Sequence, residues 1–333
     1  MIESEMGNRG SKSFTTSKIK YINVKEQRVD GSCRYLRKRS LLRCTLLAGE
    51  SPFQTRSLSN LIKTKRTKKM ESNKLDPWFV TGLTDAEGCF MIPIWKNSNK
   101  TKYNVGLSFQ IELHLKDLDL LKNIKTFFKD KGNITFTKSY VKYRIRSSKD
   151  VLDVLIPHFD KHPMQTDKQA DYLLFKSAAL KIIKGEHLSL KGLQDIINIR
   201  ATINWGLSNN LKIVFPESVP VERPRVVKQN LVPMWFSGFV TGDGSFSKGQ
   251  NLVFSVKQHM RDGDLIESFK EEFKCGYVTS FKNVKTFRVS GLIQISKVII
   301  PFFDMYPVQG QKLIQYNNWK KQVEKKKSFI SMW

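Results

Sequence analysis

The chain is short of carboxylates, of cysteine and of long apolar runs. It has 30 Asp and Glu against 57 Lys and Arg, a formal net charge of +27 over 333 residues. An imbalance of that size points to a polyanionic partner. The four cysteines, Cys33, Cys44, Cys89 and Cys275, form no CxxC pair. That pattern argues against a disulfide framework or a cysteine zinc site and fits a reduced intracellular compartment. His158 and His162 are four residues apart, but Pro163 ends that segment and no further His or Cys lies close by, so a zinc ligand set is missing. No apolar stretch approaches the roughly 20 residues that span a bilayer, and the longest, near 298–303, reads as core. With 40% hydrophobic and 11% aromatic residues, the chain can still bury about two domain-sized cores.

What is present is a short helix written twice. Residues 78–90 (WFVTGLTDAEGCF) and 235–246 (WFSGFVTGDGSF) are versions of one segment that ends in an acid followed by glycine. The acids are Glu87 and Asp243. A helix C-terminus carries roughly half a negative charge and about four unpartnered carbonyls, so an acid there is disfavoured by about 0.3–1 kcal/mol. Gly88 and Gly244 suit the left-handed residue that commonly stops a helix, which places the acids in the last turn. A divalent cation resolves the conflict, because Mg2+ takes hard oxygen ligands and needs only one or two carboxylates when water and phosphate complete its shell. Gly82 and Ala86 in the first copy, and Gly238 and Gly242 in the second, are four apart. They therefore share a face on which two helix backbones can approach closely. Asp76-Pro77 supplies an N-cap and a first-turn proline to the first helix, and Pro233 plays a similar part in the second.

The remainder of the chain divides around this repeat. Residues 1–74 hold 18 Lys and Arg against 6 Asp and Glu, with little apolar periodicity, and read as a basic, flexible leader. Residues 75–207 form a first half, 208–230 a linker with Pro216, Pro220 and Pro224, and 231–327 a second half. In the first half, 90–96 and 103–114 read as a strand pair and 117–129 as a helix, followed by strands at 133–138 and 140–147 and a helix at 150–159. In the second, strand 252–258, helix 262–274, strands 276–281 and 284–290, and helix 293–303 repeat the order. Pro163 matches Pro307 and Lys168 matches Lys312, while extra helical residues, 170–183 and 192–205, are expected in the first half alone. The fold class is therefore α+β. It consists of two pseudo-symmetric αββαββα halves, each a four-stranded antiparallel sheet backed by helices, packed through the two acid-ended helices.

Strand alternation assigns Leu107, Phe109 and Ile111 to one sheet face and Ser108, Gln110 and Glu112 to the other, and in the second half sets Phe254 and Val256 against Ser255 and Lys257. Arg144 and Arg288 hold matched strand positions, with Lys142 two residues from the former. A polar, basic sheet face can enter a major groove and read base edges, with Arg and Gln as the usual readers of G and A.

The segments VTGLTDAEG (80–88) and FSGFVTGDG (236–244), in this order of elements, resemble the single-chain LAGLIDADG homing endonucleases encoded within introns of organellar genomes. The resemblance covers roughly residues 75–325. It implies a monomer that cuts double-stranded DNA at a long asymmetric target, with Mg2+ or another divalent cation such as Mn2+, in a mitochondrion or other organelle. It further implies that Glu87 and Asp243 ligate metal, supported by the carbonyls of Ala86 and Gly242. Lys168 and Lys312 match a basic residue that contacts the scissile region. Gln258, four residues after Phe254, matches a water-organising glutamine, and the first half has Leu113 there. The sixth motif position is Asp85 in one copy and Thr241 in the other, and no catalytic role is carried to it. Two rivals share the fold. One is an RNA maturase directed at intron RNA, for which the intact acids have no use; the other is a DNA-binding relative that has lost cleavage, for which Leu113 leaves room.

Overall fold

In the computed structural model of the protein, the structure describes residues 74–96, 103–226, 231–248 and 251–330, and before them only a short strand pair, Glu26–Gln27 with Cys33–Arg34. The expected basic leader, 1–74, lies almost wholly outside the described residues.

Each half begins with its acid-ended helix, α1 (Pro77–Glu87) in the first, and runs directly into an edge strand, β1 (Gly88–Met91). A short hairpin, β2 (Ile94–Lys96) with β3 (Tyr103–Val105), follows, then the long strand β4 (Ser108–His114) and helix α2 (Leu118–Phe127). Strands β5 (Asn133–Phe136) and β6 (Tyr140–Ile145) complete the first sheet in the antiparallel order β1-β4-β6-β5. Helix α3 (Ile156–Lys161) covers it together with α4 (Lys168–Ile183), and α5 (Leu190–Thr202) and α6 (Asn209–Val214) lead to the second half. There α7 (Pro233–Asp243), β7 (Gly244–Ser247), β8 (Val253–His259), α8 (Gly263–Phe273), β9 (Tyr277–Phe281), β10 (Val284–Val289), α9 (Ile300–Met305) and α10 (Gly310–Ile330) repeat the pattern, with sheet order β7-β8-β10-β9.

Four sequence expectations are corrected. The long first strand pair is broken at Pro93 and Gly106: 88–91 pairs with 108–111 in the main sheet, and 94–96 pairs separately with 103–105. Proline has no amide hydrogen to continue a ladder, and here the Gly106 amide bonds the Pro93 carbonyl at 3.0 Å across the break. Long helical residues after the matched lysine are not confined to the first half, because α10 extends from Gly310 to Ile330; what the first half adds is α5, and the stretch read as a linker carries the short helix α6. The third helices are π-helical at Val151–Leu155 and Ile295–Ile299, just ahead of Pro157 and Pro301, where a proline inside a helix removes a backbone donor. Gly88 (φ −76°) and Gly244 (φ −72°) are extended rather than left-handed, since each already pairs in its sheet, with Ile111 and Val256. Glycine is needed there for space: a Cβ on Gly88 would lie 2.5 Å from Thr84 Cγ2 and 2.7 Å from its carbonyl oxygen.

Each half has its own apolar core. Phe90, Phe109, Phe128, Phe159, Tyr172 and Phe175 centre the first, and Phe236, Phe246, Phe254, Phe269, Phe287 and Trp319 the second. The cores meet through α1 and α7, whose side chains trade sides: Ala86 and Trp78 pack in the second core, while Met234 packs against the first. The approach is backbone to backbone. A Cβ on Gly82 would overlap the Trp235 carbonyl oxygen, and one on Gly238 would overlap that of Phe79. The small residues of the repeat are thus the seam itself, and overpacking a buried contact of this kind costs about 1–3 kcal/mol.

Candidate active site at the seam of the two halves

The seam fixes where the two acids end up. Glu87 is the last residue of α1 and Asp243 the last of α7, and both are half-buried. A Cβ on Gly242 would lie 2.5 Å from Ala86 Cβ and 3.1 Å from Glu87 Oε1. The Glu87 carboxylate therefore rests against the residue before Asp243, and the two acids converge at one end of the helix pair. Ala86 and Gly242, whose carbonyls were expected as supporting ligands, face each other in that contact.

Both matched lysines reach the same place. Lys168, at the start of α4, donates from Nζ to the carbonyls of Thr84 (3.0 Å) and Gly88 (2.6 Å). Lys312, in the first turn of α10, donates to the carbonyl of Gly244 at 2.5 Å. Each ammonium thus sits on main-chain carbonyls at the junction of a motif helix and the strand that follows it, where it offsets the negative end of the helix dipole. In the second half Gln258 Nε2 donates to Asp243 Oδ2 at 2.6 Å. In the first half the equivalent Leu113 packs against the apolar core instead.

The expected base-reading residues occupy the sheet faces turned away from the helices, but the two faces differ. In the first sheet Arg144, opposite Gln110 in register, donates to Gln110 Oε1 at 3.2 and 2.8 Å. Lys142 is 2.6 Å from Glu112, so the acid cancels part of the basic charge. Ser108 is buried beside them, its Oγ without a hydrogen-bond partner. In the second sheet Ser255 lies opposite Arg288, and Lys257, which replaces Glu112, lies opposite Thr286. Burial, and then the nearby Arg288, hold the Lys257 ammonium below its ordinary pKa, as expected when like charges share a confined face.

Asp85 is the site residue that sequence reasoning left without a role. Its Oδ2 accepts from the Gln165 amide (2.9 Å) and Trp235 Nε1 (2.8 Å), and its Oδ1 from the Thr166 amide (3.2 Å) and hydroxyl (2.6 Å). It thus anchors the residues just before Lys168 and ties them to the second half. Burial raises its pKa to about 6 against the bonds from the Thr166 hydroxyl, the Gln165 amide and Trp235 and the nearby Lys168 charge, which favour the ionised form. Thr241, its counterpart, accepts the Gln309 amide at 3.1 Å ahead of Lys312. The shared signal was available in the repeat, since Asp85 and Thr241 are polar at matched positions of two helices that are mostly apolar or small. His158 and His162 are structural. His158 hydrogen-bonds the Thr81 hydroxyl at 3.2 Å, and burial pushes it down to about 3, so it is neutral.

Comparison with known proteins places this arrangement. The model of the LAGLIDADG endonuclease family matches residues 80–179 and 236–323, the two copies of the repeat. A probable intron-encoded endonuclease 3 of Neurospora crassa is 35% identical over 96% of this chain, which spans 66% of that relative's length, just under two thirds. The LAGLIDADG homing endonuclease I-GzeII, in complex with its DNA target, is 38% identical, with a TM-score of 0.73 over 77% of this chain and 92% of that one. I-SmaMI, bound to uncleaved DNA target in the presence of calcium ions, is 38% identical, with a TM-score of 0.74 over 77% of this chain and 92% of that one. The two matched regions, the paired sheets and the acids at their seam place this chain in the LAGLIDADG endonuclease family.

Proposed function

We propose that the chain is a site-specific endonuclease that hydrolyses one phosphodiester bond in each strand of a long asymmetric DNA target, acting as a monomer. The observation that carries this reading is the convergence of Glu87 and Asp243 at one end of the packed helix pair, each with a lysine on the carbonyls beside it.

The donor set suits a hard divalent cation. Glu87 and Asp243 supply carboxylates and Ala86 and Gly242 main-chain oxygens, and no cluster of three or more His, Cys, Asp or Glu competes for a metal among the described residues. Mg2+ or Mn2+ fits such a set, because water and phosphate oxygens complete the shell. When bound, the metal lowers the pKa of water and polarises the phosphate. The chain's own contribution is charge and placement. Lys168 and Lys312 set positive charge where the scissile phosphates gain negative charge, and Gln258 orients what approaches Asp243. The basic sheet faces, through Gln110, Lys142 and Arg144 on one side and Ser255, Lys257 and Arg288 on the other, read the two half-sites. Because they differ in sequence, the half-sites differ too. Intact acids at both motif ends favour this nuclease over an RNA maturase of the same fold. An intron-encoded protein of this kind acts in an organelle, the mitochondrion in particular.

The test is cleavage of a target recovered by selection from a randomised or intron-insertion-site DNA library in Mg2+. Glu87→Gln or Asp243→Asn is expected to lower double-strand cleavage by about a thousandfold, since a bound Lewis acid is worth several kcal/mol, while DNA affinity stays within about threefold because phosphate contacts by Lys and Arg supply most of it. If both variants still linearise a plasmid carrying the target, the assignment of the acids is wrong.

A further inference from the structure

Two carboxylates outside the proposed centre sit at matched positions and cross between the halves. Asp117 ends the turn Leu115–Asp117 ahead of α2, and Asp262 ends the turn Met260–Asp262 ahead of α8. The same local device leads into both. His114 Nδ1 accepts the Lys116 amide and His259 Nδ1 the Arg261 amide, each at 3.2 Å. An aspartate just before a helix ordinarily caps it, yet neither makes a side-chain bond to its own helix. Each reaches the opposite half instead. Asp117 Oδ1 accepts the amide of Gln311, and Asp262 Oδ1 accepts the amide of Asp167, both at 2.7 Å.

The residues they hold are the immediate neighbours of the two lysines, Gln311 before Lys312 and Asp167 before Lys168. The first amides of a helix have no partner within it, and a carboxylate accepting one makes a short, charge-assisted bond that fixes the helix start. Both acids carry a cost for this, since burial raises their pKa values against the backbone bond that favours ionisation. Backbone geometry is also adapted to the contact. Gly310 has φ +58°, and a Cβ there would run into the Asp117 carboxylate. Around Asp262 the contact widens into a network, as Asp167 also receives Arg261 at 3.1 Å and the linker's Arg223 at 2.8 Å.

We infer that Asp117 and Asp262 are positioning residues that set each half's lysine from the other half: Asp117 holds Lys312 beside Asp243, and Asp262 holds Lys168 beside Glu87. Each centre is then complete only when both halves are in place, so neither half is a nickase by itself. This inference rests on the endonuclease reading for its consequence, though not for its contact.

The experiment follows nicking of each strand separately in a doubly end-labelled target duplex under single-turnover conditions with Mg2+. Lys312→Met and Lys168→Met identify the strand that depends on each lysine. Asp117→Ala is expected to slow the Lys312-dependent strand by about tenfold and Asp262→Ala the Lys168-dependent strand by as much, with the other strand within about twofold, because a small misplacement of a catalytic group carries a penalty of this order. Asp117→Asn and Asp262→Asn, which keep an acceptor oxygen, are expected to restore most of the rate. Equal slowing of both strands, or no slowing, overturns the inference. Amide hydrogen exchange in the free full-length chain reads the contact without cleavage. Exchange at Gln311 should rise selectively in Asp117→Ala and at Asp167 in Asp262→Ala, and unchanged exchange overturns it equally. A wild-type chain that cuts neither strand overturns the endonuclease reading, and the exchange result then decides the contact alone.

Discussion

The two halves of this molecule share a scaffold and a matched lysine but differ at several positions around the proposed centre. One ends its motif helix in Glu87 and has Leu113, packed on the apolar core, at the position where the other, ending in Asp243, has the bonded Gln258. One anchors its lysine-bearing helix through the four-bonded Asp85, the other through Thr241. One sheet face neutralises Lys142 with Glu112, while the other leaves Lys257 beside Arg288. What is alike is what the seam requires, namely small residues: a Cβ on Gly82 or Gly238 would collide with the opposite backbone, and one on Gly242 with the Ala86 and Glu87 side chains. What differs are the residues that the proposed endonuclease reading assigns to each DNA strand and half-site. Symmetry here belongs to packing, and asymmetry to function.

The comparison can be broken most severely at the anchors. Asp85→Ala leaves four buried donors without an acceptor and is expected to destabilise the chain by about 3 kcal/mol, read by denaturant unfolding, whereas Thr241→Val costs about 1 kcal/mol. A drop of equal size in both variants would remove the distinction. Asp85 also sets a pH dependence. Burial lifts its folded pKa to about 6, above the ordinary carboxylate value of 3.8, so the stability it contributes is present below about pH 4 and is lost as pH rises to about 6. That slope should vanish in Asp85→Asn.

A milder change sharpens the comparison at the chemistry. Leu113→Gln places in the first half the glutamine that Asp243 has in the second, and is expected to speed the slower strand by about three- to tenfold, below the roughly 10²–10⁴ of a full general acid or base because a glutamine orients water without taking its proton. The smallest effect concerns the first sheet. Glu112→Gln frees Lys142 for phosphate and is expected to tighten DNA binding a few-fold and to steepen the salt dependence by about one unit of slope. An unchanged slope would mean that this face does not meet the backbone.

Much of this could be read along the chain, because it repeats along the chain. The acid-glycine ends, the small residues four apart and the alternating strands are local patterns, and they place the seam and both sheets. The features that escaped are those settled by residues distant in sequence. Asp85 meets Trp235 across 150 positions, and nothing near either predicts it. Gly88 and Gly244 read as helix stops, but sheet pairing holds them extended. Helix α10 was hidden by its lysines, since the apolar stripe that seats it, Tyr316, Trp319 and Val323, is thin. Glu112 lay in plain sight on the outward face, but only the register with β6 shows that it neutralises Lys142.

The central claim is that one symmetric seam carries two unequal centres, and the rates at which wild-type protein nicks the two strands of its target test it most directly. Rates about tenfold apart are expected, below the roughly 10²–10⁴ of a full general acid or base, with the gap closed when Gln258→Leu slows the faster strand. Equal rates in the wild-type protein, unmoved by Gln258→Leu, would contradict it.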